Sequence, residues 1–238
     1  MYIGQSGRSV KERQSQLGVF LKNPEWMPFN DPHTAAPSLW AWRDATGWEF
    51  EVSGAPFDGG KREREGMEAY LLWQHRLERG ESTLCNFGRF HEDYVKSSGR
   101  SKGFRGGRLP LGKKNPAAGP SHTPLKPHGT VIDADWMGLA WSEPVRLVSS
   151  DIRVFGSGPG VYRIMNSEYS DLLYIGQTKI ARNRLASHAS KDWGGEACVS
   201  TCLLNENVLP HQLKEIENDL IAAYFSERGR MPEYQIGG

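Results

Sequence analysis

The sequence predicts an α/β protein built from two small, related domains, and three observations support this fold class. The segment Tyr2–Ser6 recurs, with one conservative change, as Tyr174–Thr178. Strand-like and helix-like patterns follow each copy in a similar order. A basic stretch rich in Gly and Pro separates the copies. A duplicated supersecondary unit accounts for all three observations.

Charge places the boundaries of the predicted domains. The chain has 238 residues and a net charge of +1, yet residues 92–130 hold 8 Lys and Arg against 2 Asp and Glu. This middle segment is poor in apolar residues, so it is not expected to pack a core. The sequence therefore predicts an N-terminal domain over 1–91, a basic linker over 92–130 and a C-terminal domain over 131–238.

Further matches extend the repeat. With one inserted residue, VKERQSQL aligns with IARNRLASH, which places Arg13 over Arg184. Glu68 matches Glu217 in the same way. Each glutamate is followed, at equal spacing in the two copies, by a glycine and then by an amide: Gly80 and Asn86 in the first copy, Gly229 and Gln235 in the second.

The first copy is the longer one. The stretch from the motif tyrosine to the glutamate runs from Tyr2 to Glu68 in the first copy and from Tyr174 to Glu217 in the second. The first copy thus carries about 23 extra residues, which we place around positions 26–42.

The second copy shows its elements clearly. Strands are predicted over 160–164, 172–175 and 197–204, with a helix over 179–190. A last helix begins near Pro210 and ends before Gly229. A hairpin centred on Glu168 sets Tyr162 opposite Tyr174, on one face of the sheet.

Three further residues of this copy have a suggestive placement. Arg184 and His188 are four residues apart, hence on one helical face. Glu217 falls on the apolar face of the last helix. A carboxylate there is costly unless it is paired or binds a cation.

The first copy repeats only the later part of this pattern. Residues 48–53 alternate like a strand, and 61–80 predict a helix that places Glu68 beside apolar residues. No counterpart of Tyr162 precedes Tyr2, and half a hairpin leaves a sheet edge unpaired. A missing N-terminal strand is one explanation, and a degenerate copy is the other.

These residues resemble the GIY-YIG endonuclease family. The resemblance extends from Gly160 to the end of the chain, and the motifs that carry it are Gly160–Tyr162, Tyr174–Gly176, Arg184, His188 and Glu217. The first copy is similar to the same family through Tyr2, Arg13, Glu68 and Asn86. Its insertion and basic tail are similar to those of restriction-type members.

The resemblance implies a three-stranded antiparallel sheet flanked by helices in each domain, and hydrolysis of DNA with one divalent metal ion. Glu217 would hold Mg²⁺, and Arg184 would clamp the phosphate. Tyr162, or Tyr174 with His188, would take the proton from water. A tyrosine with a pKa of about 10 is a poor base, so Arg184 and the metal are expected to lower it.

Both copies depart from the family pattern. Gln235 stands where the family has Asn and keeps the amide on a side chain one methylene longer, so the resemblance places it in the catalytic set of the second copy. In the first copy Leu17 occupies the position of His188. His33, within the insertion, is a candidate replacement, and a packing histidine is the alternative. The second expected site therefore comprises Tyr2, Arg13, His33, Glu68 and Asn86, with Glu68 as its metal ligand.

The basic segment supplies a DNA-binding expectation. Its cations would contact phosphates and give affinity without sequence choice, since few rigid elements fix a base contact. The residues expected to do so are Arg100, Lys102, Arg105, Arg108, Lys113 and Lys114.

The resulting prediction is a cytoplasmic, Mg²⁺-dependent DNA endonuclease, with the restriction type as the closest sub-class. No apolar run reaches the roughly 18 residues that span a membrane, and three cysteines form no metal-knuckle pattern. A non-catalytic DNA-binding or assembly protein built from degenerate nuclease domains remains the alternative, and a module whose repeat residues are only structural is a third. Which copy cuts, the recognition sequence and the oligomeric state stay open.

Overall fold

The computed structural model describes residues 1–21, 23–31 and 33–236. Within them lie five α-helices: α1 (Val10–Leu17), α2 (Ala36–Thr46), α3 (Lys61–Arg79), α4 (Ala181–Ala189) and α5 (Pro210–Arg228). The described strands are β1 (Tyr94–Val95), β2 (Gly107–Arg108), β3 (Val145–Arg146), β4 (Gly160–Asn166), β5 (Leu172–Thr178) and β6 (Ala197–Leu203). The predicted mixed α/β class is confirmed.

The chain forms two compact units. The first contains Met1–Arg64 and Ser82–Pro120, and the second contains Glu65–Glu81 and Ser121–Gly238. These boundaries differ from the predicted ones, because most of α3 belongs to the second unit. The predicted linker is also divided, since residues 92–120 belong to the first unit and the remainder to the second.

The second unit contains an antiparallel sheet of four strands in the order β3-β6-β4-β5. Strands were predicted over 160–164, 172–175 and 197–204, and these segments form β4, β5 and β6. The additional strand β3 is only two residues long and pairs with Val199 and Cys198 of β6. Six of the seven residues of β4 are buried, as expected for a central strand covered on both faces.

The β4–β5 register corrects the predicted pairing. Tyr162 lies opposite Gly176, and Tyr174 lies opposite Ile164. A register shift at Ile164/Met165 leaves Leu173 as an extra residue, which moves the centre of the hairpin toward Tyr169. The two tyrosines are therefore diagonal neighbours, which still places them on the same face of the sheet.

The two faces of this sheet pack different cores. Val161 and Met165 face Ile216 and Leu220 of α5. The alternate residues of β4, including Tyr162, pack with Leu185 of α4 and with Val199, Phe155 and Trp193. Because side chains alternate along a strand, the tyrosine face is the one covered by α4.

A buried ionic cluster joins α3 to α5 inside the second unit. The Nε and Nη2 atoms of Arg76 donate to the two Asp219 oxygens at 2.8 and 3.0 Å. Its Nη1 lies 3.4 Å from Glu215 Oε2. The side chains of all three residues are fully buried. The same carboxylates accept from the backbone N–H groups of His122 and Leu125, so they also hold the segment 121–125.

The first unit departs most from expectation. Its described residues include only a two-stranded sheet, in which β1 pairs with β2. The expected strands at Tyr2–Gly4 and 48–53 do not form in it. Its core instead packs α2 residues such as Leu39 and Trp40 against Tyr94.

The basic segment is not an unpacked linker. Tyr94 within it is fully buried in the first core, and Leu125 is buried in the second. Among the described residues, no helix is long and apolar enough to cross a membrane.

Candidate active site

Two tyrosines stack above a glycine on the α4 face of the sheet. The rings of Tyr162 and Tyr174 lie 6.0 Å apart and are inclined by 25°. A Cβ atom at Gly176 would meet Tyr162 Cζ and Oη at 2.4 Å and Tyr174 Cε1 at 2.7 Å. Only glycine leaves room for this arrangement, which gives the third residue of the repeated motif a physical role.

The hydroxyl of Tyr162 links a histidine and an arginine from α4. Its oxygen lies 2.8 Å from His188 Nε2, and Arg184 Nε donates to it at 3.1 Å. Because Arg184 can only donate, the phenol proton is directed toward the histidine. His188 is fully buried, and its Nδ1 has no hydrogen-bond partner among the described residues. The i, i+4 placement of Arg184 and His188 thus brings both to one hydroxyl.

Burial affects the pKa values of Tyr162 and His188 more than the neighbouring charges do. It raises the pKa of Tyr162, and the opposing effect of Arg184 is smaller. Arg184 acts to lower the pKa of Tyr162, as expected, but in the protein alone burial outweighs it. Burial, followed by the charges of Arg184 and Lys191, lowers the pKa of His188 to about 4. His188 is consequently neutral at pH 7 and can accept the phenol proton.

Glu217 reaches the end of the edge strand from α5. Its Oε1 accepts a hydrogen bond from the Gln177 N–H at 3.1 Å, one residue after Gly176. Burial raises the pKa of Glu217 to about 7, while the Gln177 N–H, Lys214 and Arg184 act to lower it. Glu217 also raises the pKa of Tyr162. The carboxylate is therefore within electrostatic reach of both Arg184 and Tyr162.

Gln235 holds the backbone of the repeated motif. Its Oε1 accepts from Ile175 N and its Nε2 donates to Ile175 O, both at 2.9 Å. Asn86 holds Ile3 in the same way, at 3.0 and 2.7 Å. Each amide side chain thus bonds both the N–H and the carbonyl of the isoleucine in its own copy of the motif. This corrects the assignment of Gln235 to the catalytic set and accounts for its tolerance of one extra methylene.

The first unit assembles a similar set around Tyr2. The Tyr2 hydroxyl lies 3.4 Å from His33 Nε2, with ring centroids 5.3 Å apart. A Cβ atom at Gly4 would lie 2.3 Å from that hydroxyl. Burial, then the charges of Arg13 and Lys96, lowers the pKa of His33 to about 4. His33 therefore occupies a position beside Tyr2 like that of His188 beside Tyr174, whose rings also lie 5.3 Å apart.

Helical positions agree with the repeat as well. Arg13 and Arg184 are each the fourth residue of their helix. Glu68 and Glu217 are each the eighth residue of a 19-residue helix that ends at a left-handed glycine. Glu68 is partly buried and lies in the part of α3 that belongs to the second unit. The other four residues of its expected site belong to the first unit.

The first unit contains an open cavity of about 380 Å³. The cavity is lined by Gln5, Ser6, Gly7, Arg8, Arg13 and Gln16. Arg13 and the uncharged polar side chains suit an anion, whereas Arg8 already pairs with Glu12 at 2.9 Å. None of these lining residues is acidic, so they offer no carboxylate ligand to a metal ion.

Most of the six expected DNA contacts already have protein partners. Lys114 pairs with Glu92 and Asp93. Arg108 donates to the Tyr94 hydroxyl. The remaining pairs are Arg100 with Asp31 and Arg105 with the Met27 carbonyl. Lys102 and Lys113 make no side-chain ion pair within the described residues, so they are the most available for phosphates.

Sequence reasoning missed an aromatic wall around His188. Trp193 Nε1 donates to the His188 carbonyl at 3.0 Å, and its ring contacts both His188 and Tyr174. Tyr234 packs edge-on against Trp193, and its N–H donates to Leu173 O. The sequence signal for these two residues is their proximity to expected site residues, since Trp193 closely follows His188 and Tyr234 immediately precedes Gln235.

The described residues contain no group of three His, Cys, Asp or Glu side chains placed to hold a metal ion. A cation at Glu217 would therefore depend on water and substrate for its other ligands. No protein-family model, curated protein or solved structure matches this chain.

Proposed function

We propose that the protein is a metal-dependent DNA endonuclease, of the type that the GIY-YIG resemblance implies, and that the second unit cuts. The observation that carries the proposal is the hydrogen-bonded set of Tyr162, His188 and Arg184, with Glu217 within electrostatic reach. Perturbed titratable groups that converge on one point are typical of catalytic sites.

The residues divide the chemistry of phosphodiester hydrolysis. Arg184 is exposed, and its planar fork suits a phosphate. Tyr162 bridges Arg184 to His188, so a proton released near the phenol oxygen can pass toward the neutral imidazole. The aromatic wall of Trp193 and Tyr174 shields the imidazole from water, which favours its neutral form.

Glu217 fits a single Mg²⁺ ion. One of its oxygens is held by the Gln177 N–H, and the other accepts no hydrogen bond from the described residues. Mg²⁺ commonly binds through one or two carboxylates together with water and substrate phosphate. When bound, such an ion supplies stabilisation of the negative charge on the phosphate and the leaving oxygen.

The alternative is a non-catalytic DNA-binding or assembly role, and one observation favours it for the first unit. None of the residues that line the cavity of this unit is acidic, and the lining includes Arg13 as well as Arg8, which pairs with Glu12. The unit also has no counterpart of Tyr162 among its described residues. It would bind a phosphate there without cutting.

Cleavage of supercoiled plasmid, with and without Mg²⁺, tests the proposal. We expect Glu217→Gln to reduce cutting by at least about 100-fold and to change DNA affinity less than about twofold. The lost interaction acts in the transition state, whereas binding comes from cations spread over the surface.

Glu68→Gln is the matched control, because it removes the carboxylate at the same helical position of the other copy. Loss of cutting in Glu68→Gln alone would assign catalysis to the first copy and contradict the choice made here. Full activity in the double variant would eliminate the proposed catalytic site.

A further inference from the structure

The basic segment of the first unit contains an ordered two-stranded ribbon. Strands β1 and β2 pair Tyr94 with Arg108 and Val95 with Gly107. The connection over 96–106 carries four basic residues and no acidic one. Its turn is bonded internally, since Ser98 N donates to the Phe104 carbonyl and Phe104 N donates to Ser98 Oγ. The ribbon therefore has a defined shape.

The ribbon is also anchored at its base and side. At the base, Arg108 donates to the Tyr94 hydroxyl, which donates to Asp44. Along the side, the Arg105 guanidinium donates to Met27 O and lies 4.5 Å from the centroid of the Phe29 ring. A Cβ atom at Gly106 would lie 2.1 Å from Val95 O, so this glycine keeps the ribbon narrow. These contacts fix the direction in which the turn projects.

An apolar side chain stands among the cations of the turn. Phe104 is 50% exposed. Arg100, Lys102 and Arg105 beside it in sequence are exposed as well. Exposing an aromatic ring to water is unfavourable, and here it has no evident packing role that would offset the cost. An apolar tip flanked by positive charge matches a base step flanked by phosphates.

We propose that the ribbon 94–108 enters a groove of duplex DNA, where Phe104 wedges against a base step while Arg100 and Lys102 contact the flanking phosphates. Phe is among the side chains that wedge between base steps from the minor groove, so the minor groove is the one assigned to the tip of the ribbon. A single exposed ring on a ribbon favours duplex DNA over a single strand, which uses a groove with successive stacking rings. The inference takes DNA as partner from the proposed function and adds deformation of that DNA by the first unit.

The test uses the full chain and a mixed-sequence duplex of about 30 base pairs in EDTA, so that binding is measured without cutting. Affinity and end-to-end energy transfer report binding and bending. Phe104→Ala should weaken binding about tenfold and abolish bending, without changing the salt dependence, because a neutral group is lost. Lys102→Gln should instead lower the salt slope by about one. Leu111→Ala removes a fully exposed apolar side chain elsewhere in the first unit and should change neither the affinity nor the bending.

Phe104→Leu separates a wedge from base stacking. Leucine also wedges at base steps, so this variant should retain bending and bind within about threefold of the unsubstituted protein. The proposal is overturned if Phe104→Ala binds and bends like the unsubstituted protein, or if no duplex is bound. It is also overturned if a single strand binds more tightly and Phe104→Leu behaves like Phe104→Ala.

Plasmid cleavage in Mg²⁺ keeps this inference distinct from the proposed function. Bending that depends on Phe104, without cleavage, would support the ribbon and contradict the nuclease. Cleavage by a protein whose Phe104→Ala variant bends DNA normally would do the reverse.

Discussion

Replacing Arg76 with methionine should destabilise the second unit severely. Arg76 contributes the only guanidinium among the described contacts of Glu215 and Asp219, with both Asp219 oxygens bonded at 2.8 and 3.0 Å. Methionine keeps much of the side-chain volume and removes the charge. Glu215 and Asp219 would then be two buried carboxylates that repel each other. The N–H and hydroxyl groups that still donate to them would offset only part of this repulsion.

The magnitude follows from the cost of an uncompensated buried charge. Removing one partner of a buried ion pair costs about 3 to 5 kcal/mol. A domain is stable by about 5 to 15 kcal/mol, so the loss is a large part of the total. At about 3 to 5 °C per kcal/mol for a unit of this size, the midpoint of thermal unfolding should fall by about 10 to 25 °C.

Thermal unfolding followed by circular dichroism provides the assay. Arg79→Met is the control, because Arg79 lies on the same helix, is exposed and should change the midpoint by about 2 °C or less. Adding Glu215→Gln and Asp219→Asn to Arg76→Met should recover at least half of the loss, since the unpaired charges are removed with their partner. Equal midpoints for Arg76→Met and Arg79→Met would refute the reasoning.

The remaining predictions concern the tyrosine sites. The pKa of His188 is about 4 in the folded protein and 6.5 in the unfolded chain. The unfolded chain therefore binds a proton more readily between these values, and the free energy of unfolding falls by about 3 kcal/mol as the pH drops from 6.5 toward 4. His188→Gln removes this titration, so the difference in unfolding free energy between it and the unsubstituted protein should shrink as the pH falls from 6.5 to 4. His33→Gln should show the same pH dependence. A difference that does not change with pH would contradict both predictions. Gly176→Ala should abolish cutting and lower the free energy of unfolding by about 1 to 3 kcal/mol, because the added methyl group overpacks against the tyrosines. Gly195→Ala is the control and should cut normally, since an added Cβ there meets nothing within 4 Å. Normal cutting by Gly176→Ala would contradict the assigned geometry.

Local signals in the sequence predicted α3, α4 and α5 well, whereas α2, which lies in the insertion, was not predicted. Gly80 and Gly229 each adopt a left-handed conformation immediately after a helix, as their positions suggested. The pairing of β4 with β5 was less accessible, because one extra residue at Leu173 shifts the register without leaving a mark in the pattern. The face shared by the tyrosines was still predictable, since it depends on alternation rather than on exact register.

Long-range partners account for what the sequence did not reveal. Glu217 was chosen because it lies on an apolar helical face, yet Glu215 and Asp219 on the same helix are the fully buried carboxylates. Their counterion, Arg76, comes from α3, which lies far from α5 in the chain. The contact of His33 with Tyr2 likewise joins distant positions and comes from the insertion, where no spacing rule applies.

The features that the two units share suggest how the repeat divides its work. Both hold the isoleucine of the motif through a side-chain amide and keep a neutral histidine beside a tyrosine. The amide contacts hold the local backbone, and neither shared feature by itself requires catalysis. Tyr162, by contrast, is the bridge between Arg184 and His188, and the described residues of the first unit include no equivalent of it. Since proton transfer needs that bridge and phosphate binding does not, the second unit is the better candidate for cutting and the first for holding DNA.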